Sequence, residues 1–239
     1  MTEYGLQLYS IRDCMKENME EAIRQVAELG YQTVEPAGFF GRTAEEVKTM
    51  LDKNGLKLSG THSGWTDLRD DYEGTLKYHK TLGNKRYVIP GADLSTAEKI
   101  TEFVNLVNEV QPKLAKEGIS LHYHNHSFEF LPNQDGLIPH EELQKRTNIG
   151  FEIDIYWAYR ADVDPLALMD KLRDRISVVH VKDGTMERGL SLGLGTAPVR
   201  EVVAVCKERG IDMVVESEEQ EPDGISEVRR CIEFLKTLE

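Results

Sequence analysis

Short runs of apolar, β-prone residues alternate along the chain with longer stretches in which apolar residues recur at helical spacing. The eight predicted strands cover residues 4–9, 33–35, 57–61, 86–89, 119–124, 149–155, 176–181 and 213–216. The predicted helices cover residues 19–29, 44–53, 72–82, 96–117, 141–145, a segment starting at Asp164-Pro165, 197–209 and 225–238. Glycines follow most of these helices, and Asp164-Pro165 is typical of a helix start. The capping residues therefore fall where the alternation requires them.

This alternation predicts the fold class. Strands that alternate strictly with helices lie parallel and are joined by right-handed crossovers. Eight such units in 239 residues predict an α/β fold, a single (β/α)8 TIM barrel with outer helices, as one domain over residues 1–239. An open doubly wound sheet is the alternative. The turn after the first strand reads QLYSIRD and has no glycine, so it does not match a nucleotide-binding turn.

The charge balance narrows the range of partners. The chain has 29 Lys and Arg against 42 Asp and Glu, a formal net charge of −13. Because an acidic protein repels phosphate backbones and anionic lipid surfaces, we expect neither a nucleic-acid nor a membrane partner. The three cysteines predict no disulfide framework, and the N-terminal sequence does not resemble a secretory signal, so we expect a cytoplasmic protein. Whether copies of the chain form a homo-oligomer stays open.

Polar residues lie at the C-terminal ends of the predicted strands, where barrels of this kind place their active sites. Side chains two residues apart on a strand point the same way, so His180 and Lys182 share a face, as do Glu152 and Asp154. Charges that converge at one barrel mouth are costly to bury unless something compensates them. In strand order, the polar residues are Gln7, Tyr9, Glu35, His62, His122, His124, His126, Asp154, His180, Lys182 and Glu216.

A divalent metal ion would compensate this charge. Glu129, Asp154, His180 and Glu216 supply three carboxylates and one imidazole, a set that suits one Mn²⁺, Co²⁺, Mg²⁺ or Zn²⁺ ion. Such an ion polarises a substrate carbonyl and makes the neighbouring C–H acidic. The sequence therefore predicts a metal-binding site for a small-molecule substrate that carries a carbonyl and a hydroxyl group.

Other polar and aromatic residues are expected to surround the metal site or to lie elsewhere on the barrel. We expect Gln7, Glu35 and His62 to bind substrate hydroxyls or to support the ligands, and Trp157 to flank an apolar face of the substrate. His79 and His140 lie on predicted helices and are expected to be solvated. The SLGLG segment, with Gly193 and Gly195, would offer backbone N–H groups to a phosphate at the start of the seventh helix. It contains no Arg or Lys, so a phosphate on the substrate stays open.

At these residues the chain resembles the sugar phosphate isomerase/epimerase superfamily, the xylose isomerase-like barrels that include AP endonuclease family 2. The resemblance implies one catalytic metal ion, with Asp154, His180 and Glu216 as three of its four ligands. Many epimerases carry a Glu on the fifth strand, where this chain has HYHNH. The fourth place is therefore assigned to Glu129, with His124 as the substitute. The motifs that carry the resemblance are, in chain order, GLQLYSIRD, VEPAG, HYHNHSFEF, EIDIYWAYRADVDP, HVKD and VVESEE.

The resemblance implies a metal-dependent isomerase or epimerase that acts on a small sugar or sugar-like polyol by proton transfer next to a metal-bound carbonyl. Glu216 would serve as one base, and His124, His126 or Lys182 would stand opposite it. Family members with a YHNH-type fifth strand and HVKD include lyases and dehydratases that act on keto-cyclitols or 3-keto-glycosides by β-elimination, and this chemistry is the alternative. A non-catalytic sugar-binding barrel is a further alternative.

Overall fold

Parallel strands form the centre of the molecule, which is known from a computed structural model that describes residues 2–239. Neighbouring strands pair in parallel, with registers such as Gln7 beside Glu35 and Asp154 beside His180. Helices surround the sheet, so the predicted TIM barrel is confirmed. The strands are the first (Tyr4–Gln7), second (Thr33–Glu35), third (Lys57–Leu58 and Thr61–His62), fourth (Arg86–Ile89), fifth (Ser120–His124), sixth (Gly150–Asp154), seventh (Ile176–Val181) and eighth (Asp212–Val215).

The third strand closes the barrel through its two segments. Lys57–Leu58 pairs with the second strand, whereas Thr61–His62 pairs with the fourth. The two segments lie at opposite ends of the strand order, and only Ser59 and Gly60 separate them along the chain. The predicted strand over residues 57–61 is therefore broken in the middle. After the break His62 lies at the C-terminal end of the barrel, where its backbone N–H donates to the Pro36 carbonyl at 2.8 Å.

The helices start and end at residues whose chemistry suits a cap. Thr43 and Glu46 form a capping box at the second helix, and Asp164 caps the helix that begins at Pro165. Gly30, with φ of 98°, ends the first helix in a left-handed conformation. The helices are Arg12–Leu29, Ala44–Lys53, Trp65–Asp70, Tyr72–Leu82, Ala97–Lys116, Pro139–Arg146, Ile155–Arg160, Pro165–Lys171, Val199–Arg209 and Gly224–Lys236. Within residues 2–239, each helix is either too short or too polar to cross a lipid bilayer.

Several boundaries differ from the predicted ones for local reasons. The first helix begins at Arg12 but has a non-helical residue, Asn18, and the predicted segment 19–29 is the part after this break. The sixth strand ends at Asp154, because the Asp154 carboxylate accepts the Trp157 N–H at 2.9 Å and starts the short helix Ile155–Arg160. Periodicity cannot detect a helix of six residues, so this element was missed.

The expectation that His79 and His140 are solvated is wrong. They are 3% and 1% exposed, respectively. The His140 ring packs between Phe130 and Phe151, with centroids 4.6 and 4.7 Å away, and its Nδ1 lies 2.7 Å from the Gln144 amide nitrogen. Burial lowers the pKa of His140 to about 3 and that of His79 to about 4. Both imidazoles are therefore neutral in the folded protein at pH 7.

We expect His140 to make the protein less stable in mild acid. The unfolded state takes up a proton near the ordinary pKa of 6.5, whereas folded His140 does not, so stability falls as the pH drops below 6.5. Between pH 7 and pH 5 this group alone removes about 2 kcal/mol from the free energy of unfolding. His140→Phe should reduce that loss by the same amount in urea titrations at the two pH values. An unchanged loss in the variant would contradict this assignment.

Candidate metal centre

Four buried side chains from the fifth to the eighth strands converge at the C-terminal end of the barrel. They are His124, Asp154, His180 and Glu216, and one donor atom of each lies within 4.8 Å of the other three. His124 Nε2 is 3.7 Å from Asp154 Oδ2 and 4.0 Å from Glu216 Oε2. His180 Nδ1 is 3.4 Å from Glu216 Oε2. Ligands bound at about 2.0–2.2 Å to one tetrahedral ion lie about 3–4 Å apart, so this spacing suits a shared ion.

The unpaired atoms of this group fit a divalent cation. Among residues 2–239, neither Asp154 Oδ2 nor the ring nitrogens of His124 have a hydrogen-bond partner, although all are buried. A buried carboxylate oxygen without a partner is costly, and the 3.7 Å gap to His124 Nε2 is too long for a hydrogen bond. A cation between the two would satisfy both atoms. Two carboxylates and two imidazoles suit a first-row metal ion such as Mn²⁺, Co²⁺ or Zn²⁺.

The structure does not bring Glu129, the predicted fourth ligand, into this group. Its Oε1 accepts the Tyr123 hydroxyl and its Oε2 accepts the His126 N–H, both at 2.8 Å. Glu129 lies in the short turn Phe128–Phe130, and burial raises its pKa to about 7. Both of its oxygens are therefore engaged in holding the chain after the fifth strand. The fifth-strand donor near Asp154 is His124, which the sequence offered as the substitute.

Glu35 orients His180. His180 Nε2 lies 2.8 Å from Glu35 Oε2, while Nδ1 faces Glu216. The Gln7 amide donates to the same Glu35 oxygen at 3.0 Å. A proton on Nε2 that is donated to Glu35 leaves the lone pair on Nδ1, which is the nitrogen that points toward the other three donors.

A second group of donors, His62, His124, Glu152 and His180, overlaps the first and extends deeper into the barrel, because Glu152 precedes Asp154 by two residues on the sixth strand. His62 Nε2 is 2.7 Å from Glu152 Oε2, a hydrogen-bonded pair that also contacts the His180 ring. Burial raises the pKa of Glu152. Burial opposes the charged form of His62, but the charges of Glu35 and Glu152 outweigh it and raise the His62 pKa. Because these groups pair with one another, the upper group of four is the candidate metal centre.

Lys182 holds Glu216 in its ionised form. Its Nζ lies 3.3 Å from Glu216 Oε2 and 3.1 Å from Glu218 Oε2, and it is 2% exposed. Burial alone would lower the pKa of this amine, but the charges of Glu216, Asp154 and Glu218 outweigh burial and raise it. Burial also disfavours ionised Glu216, yet Lys182 brings the Glu216 pKa well below its ordinary value. The face of the Trp157 ring, 4.6 Å from Nζ, covers the amine.

A cavity of about 500 Å³ opens above the candidate metal centre. Its size suits a small polar molecule, and its lining combines imidazoles and carboxylates with apolar surface. The lining residues are Tyr9, Ala37, His62, Pro90, His124, His126, Trp157, Glu216 and Glu218. A larger cavity of about 660 Å³ lies at the opposite end of the barrel, where Arg86 and Arg175 bond to backbone carbonyls. Because barrels place their chemistry at the C-terminal strand ends, the smaller cavity is the candidate substrate site.

Only two of the four predicted substrate-binding residues line the cavity. His62 and Trp157 line it. Gln7 and Glu35 lie beneath it and are fully buried, with Gln7 bound to Glu35 through its amide and to the Tyr9 N–H through its carbonyl. The position of Glu35 next to His180 gives it a supporting place rather than contact with the cavity.

Three of the four residues predicted to be catalytic also line the cavity, and the fourth does not. Glu216, His124 and His126 line the cavity, whereas Lys182 is bound to Glu216 and Glu218 below the surface. Burial lowers the pKa of His126 to about 4, so the imidazole is neutral at pH 7. A neutral imidazole at the cavity wall is in the form that accepts a proton.

Sequence reasoning missed two residues of the site. Asn125 exchanges hydrogen bonds with the backbone of Asp154, at 3.1 and 3.2 Å, and ties the end of the fifth strand to the sixth. Glu218 lies past the end of the eighth strand, lines the cavity and pairs with Lys182. No periodic pattern marks either residue, because both lie in irregular chain after a strand.

The chain belongs to the xylose isomerase-like TIM barrel family, whose model matches residues 23–238. This finding confirms the family resemblance of the strand-end motifs. A comparison with curated proteins found no match.

Solved structures share the fold over nearly their whole length. A sugar phosphate isomerase/epimerase from Parabacteroides distasonis ATCC 8503 is 25% identical with a TM-score of 0.84, covering 99% of this chain and 98% of that chain. A probable 3-DHS dehydratase from Bacillus anthracis is 13% identical with a TM-score of 0.76, covering 98% and 99%. A D-allulose 3-epimerase from Methylomonas sp. is 16% identical with a TM-score of 0.71, covering 100% and 98%.

Replacing Lys182 by Met should destabilise the protein when metal ions are removed with EDTA. The variant keeps most of the side-chain volume but leaves Glu216 buried without its cation, which costs about 3–5 kcal/mol. Lys145→Met, which removes an exposed lysine, is the control and should change stability by less than about 0.5 kcal/mol. Urea unfolding measures both. A Lys182→Met protein as stable as the control would show that Lys182 does not compensate the buried carboxylates.

Proposed function

We propose that this protein is a metal-dependent isomerase or epimerase that acts on a small sugar or sugar-like polyol. The observation that carries the proposal is the convergence of His124, Asp154, His180 and Glu216 directly below a cavity of about 500 Å³. In a TIM barrel this is the end at which active sites lie. The cavity is roomy enough for a monosaccharide, and Tyr9, Ala37, Pro90 and Trp157 give it apolar walls beside its imidazoles and carboxylates.

In this proposal one divalent ion is held by His124, Asp154, His180 and Glu216, with His124 in place of Glu129. The ion supplies Lewis acidity toward a carbonyl and a neighbouring hydroxyl, which makes the C–H between them acidic. Glu35 fixes the ring orientation of His180 through the 2.8 Å contact at Nε2. Lys182 keeps Glu216 ionised, so this carboxylate is ready to bind a cation or to accept a proton.

Two groups at the cavity wall are placed to move a proton. Glu216 presents a carboxylate from the eighth strand, and His126 presents a neutral imidazole from the segment after the fifth strand. Because these two strands lie well apart in the strand order, the two groups reach the cavity from different sides. One would remove the proton next to the carbonyl, and the other, after it has taken up a proton from solvent, would deliver one to the opposite face. His126 suits this role better than Lys182, whose amine is bound to Glu216 and Glu218.

The alternative is a lyase or dehydratase that acts on a keto-cyclitol or 3-keto-glycoside by β-elimination. The observation that favours it is the fifth strand, which offers His124 near the metal centre where a two-glutamate epimerase has a carboxylate. With a carboxylate on one side only, a proton removed by Glu216 need not return to the same carbon. Glu216 would then pass the proton that it has removed to the leaving oxygen, so that water or the free aglycone departs.

Metal affinity should distinguish the two candidates for the fourth ligand. Asp154→Asn and His124→Ala should each weaken Mn²⁺ and Zn²⁺ binding by more than about 100-fold, and Glu35→Gln by about 10–100-fold. Glu129→Gln is the matched control and should bind metal nearly as tightly as the wild type. Isothermal titration and elemental analysis after dialysis measure the affinity. A Glu129→Gln protein that loses its metal while His124→Ala retains it would restore the original assignment.

Proton exchange should reveal the chemistry. With Mn²⁺ or Co²⁺ present, proton NMR in D2O should show loss of the C–H signal next to the carbonyl of a ketose, an inosose or a 3-keto-sugar. His126→Gln should lower the exchange rate by about 100–10,000-fold while the metal stays bound. Formation of an enone chromophore with release of water or an aglycone would support the elimination alternative. Binding of these compounds without exchange or elimination would indicate a sugar-binding protein and contradict both enzymes.

A further inference from the structure

Asp183, next to Lys182 after the seventh strand, is a buried carboxylate surrounded by backbone N–H groups. Its Oδ1 accepts from Gly184 at 2.8 Å and from Ala197 at 3.2 Å. Its Oδ2 accepts from Gly193 at 2.8 Å and from Gly195 at 3.1 Å. The side chain is 2% exposed. Four amides of the chain therefore bind one carboxylate of the same chain.

This loop is where TIM barrels commonly bind a phosphate. The segment between the seventh strand and the helix Val199–Arg209 presents glycine N–H groups in the manner of a phosphate-binding loop. The sequence pattern at Gly193 and Gly195 predicted the same chemistry. In the structure these N–H groups point to Asp183 instead, and a Cβ atom at Gly195 would lie 2.2 Å from Asp183 Oδ1. The chain's own carboxylate thus occupies the place of the anion.

The candidate substrate cavity offers no substitute for that anion site. Within residues 2–239, no Arg or Lys lines the cavity, and Glu216 and Glu218 line it with negative charge. The nearest amine, Lys182, is 2% exposed and is shared between these two carboxylates. Apart from the proposed metal ion, whose open positions the substrate carbonyl and hydroxyl would take, a phosphate dianion would therefore meet like charges and no free side-chain cation.

A neighbouring cavity of about 340 Å³ shares Tyr9 and Ala37 with the candidate substrate cavity and contains Arg12 and Lys16. The Arg12 guanidinium donates to the backbone carbonyls of Tyr9, at 3.1 Å, and Glu218, at 2.9 Å. Lys16 is an exposed side chain, and a phosphate held there would rest on one mobile amine. This cavity does not replace the four backbone N–H groups around Asp183, which we call the amide cradle. A test must still distinguish phosphate bound in this cavity from phosphate bound in the cradle.

We propose that the substrate is an uncharged, unphosphorylated polyol or sugar, because Asp183 occupies the N–H groups of this loop and carboxylates line the cavity. The Asp183 carboxylate takes the four N–H groups that would otherwise be available to a phosphate. This inference rests on the proposed function for the sugar-like nature of the ligand. The occupancy of the cradle by Asp183 does not depend on any activity.

Inorganic phosphate tests the cradle without turnover. In the presence of EDTA, which prevents binding to metal ions, wild-type protein should bind phosphate with a Kd above about 10 mM in calorimetry or phosphorus NMR. Asp183→Ser empties the cradle and should bind phosphate at least about 10-fold more tightly. Asp174→Ser, which removes an exposed carboxylate at the other end of the barrel, is the matched control.

Two results would overturn the cradle assignment. One is a folded Asp183→Ser protein, judged by circular dichroism, that binds phosphate no better than the control. The other is a wild-type protein that binds phosphate with a submillimolar Kd that Lys16→Ala leaves unchanged. Binding that Lys16→Ala abolishes would instead place the phosphate in the neighbouring cavity and would contradict an unphosphorylated substrate. If Asp183→Ser does not fold, the phosphate affinity of the wild-type protein still tests whether the cradle is closed to phosphate.

A substrate comparison tests the specificity itself. Each ketose or keto-cyclitol is assayed beside its phosphate ester by proton exchange in D2O. The free compound should be favoured in kcat/KM by about 100-fold or more, because the ester places its charge beside Glu216 and Glu218. A preference for the ester would contradict the proposal and leave the isomerase function standing. Exchange with neither compound would instead count against the proposed function. The phosphate titration would then be the test of whether Asp183 keeps phosphate out of the cradle.

Discussion

The burial of negative charge at the barrel mouth is the constraint on which the site depends. Asp154 and Glu216 are at most 3% exposed and belong to one convergent group with His124 and His180. Ionised carboxylates in such a place need a cation or hydrogen-bond donors. Lys182 supplies one positive charge and lowers the pKa of Glu216, whereas burial raises the pKa of Asp154 to about 7. The missing positive charge falls where a divalent ion would lie.

Buried side chains below the site hold the metal-binding residues in position. Glu35 receives the Nε2 side of His180, and Glu152 pairs with His62, so the rings are held before any ligand arrives. Asn125 fixes the backbone of Asp154 to the end of the fifth strand. Such preorganisation lowers the cost of binding a cation, because the donors need not reorder. Glu129 contributes in the same way by anchoring the turn that carries His126 toward the cavity.

The alternation of strands and helices predicted the barrel. The strand-end rule then predicted three of the four convergent donors, since Asp154, His180 and Glu216 each lie at or just past the end of a strand. It could not choose between His124 and Glu129. That choice depends on the direction of the chain after residue 124, where Tyr123 and the His126 amide capture the Glu129 carboxylate. The same limit applies to SLGLG. The pattern shows available N–H groups, but only the folded chain reveals that Asp183 has already taken them.

The most direct test of the account is the position of a bound ion. A crystal of the protein grown with Mn²⁺ should show one anomalous peak at about 2.0–2.3 Å from His124 Nε2, Asp154 Oδ2, His180 Nδ1 and Glu216 Oε2. Such a peak would place the cation where the buried carboxylates require it. An ordered structure without a peak among these four atoms, or with the peak bound by Glu129, would contradict the central claim.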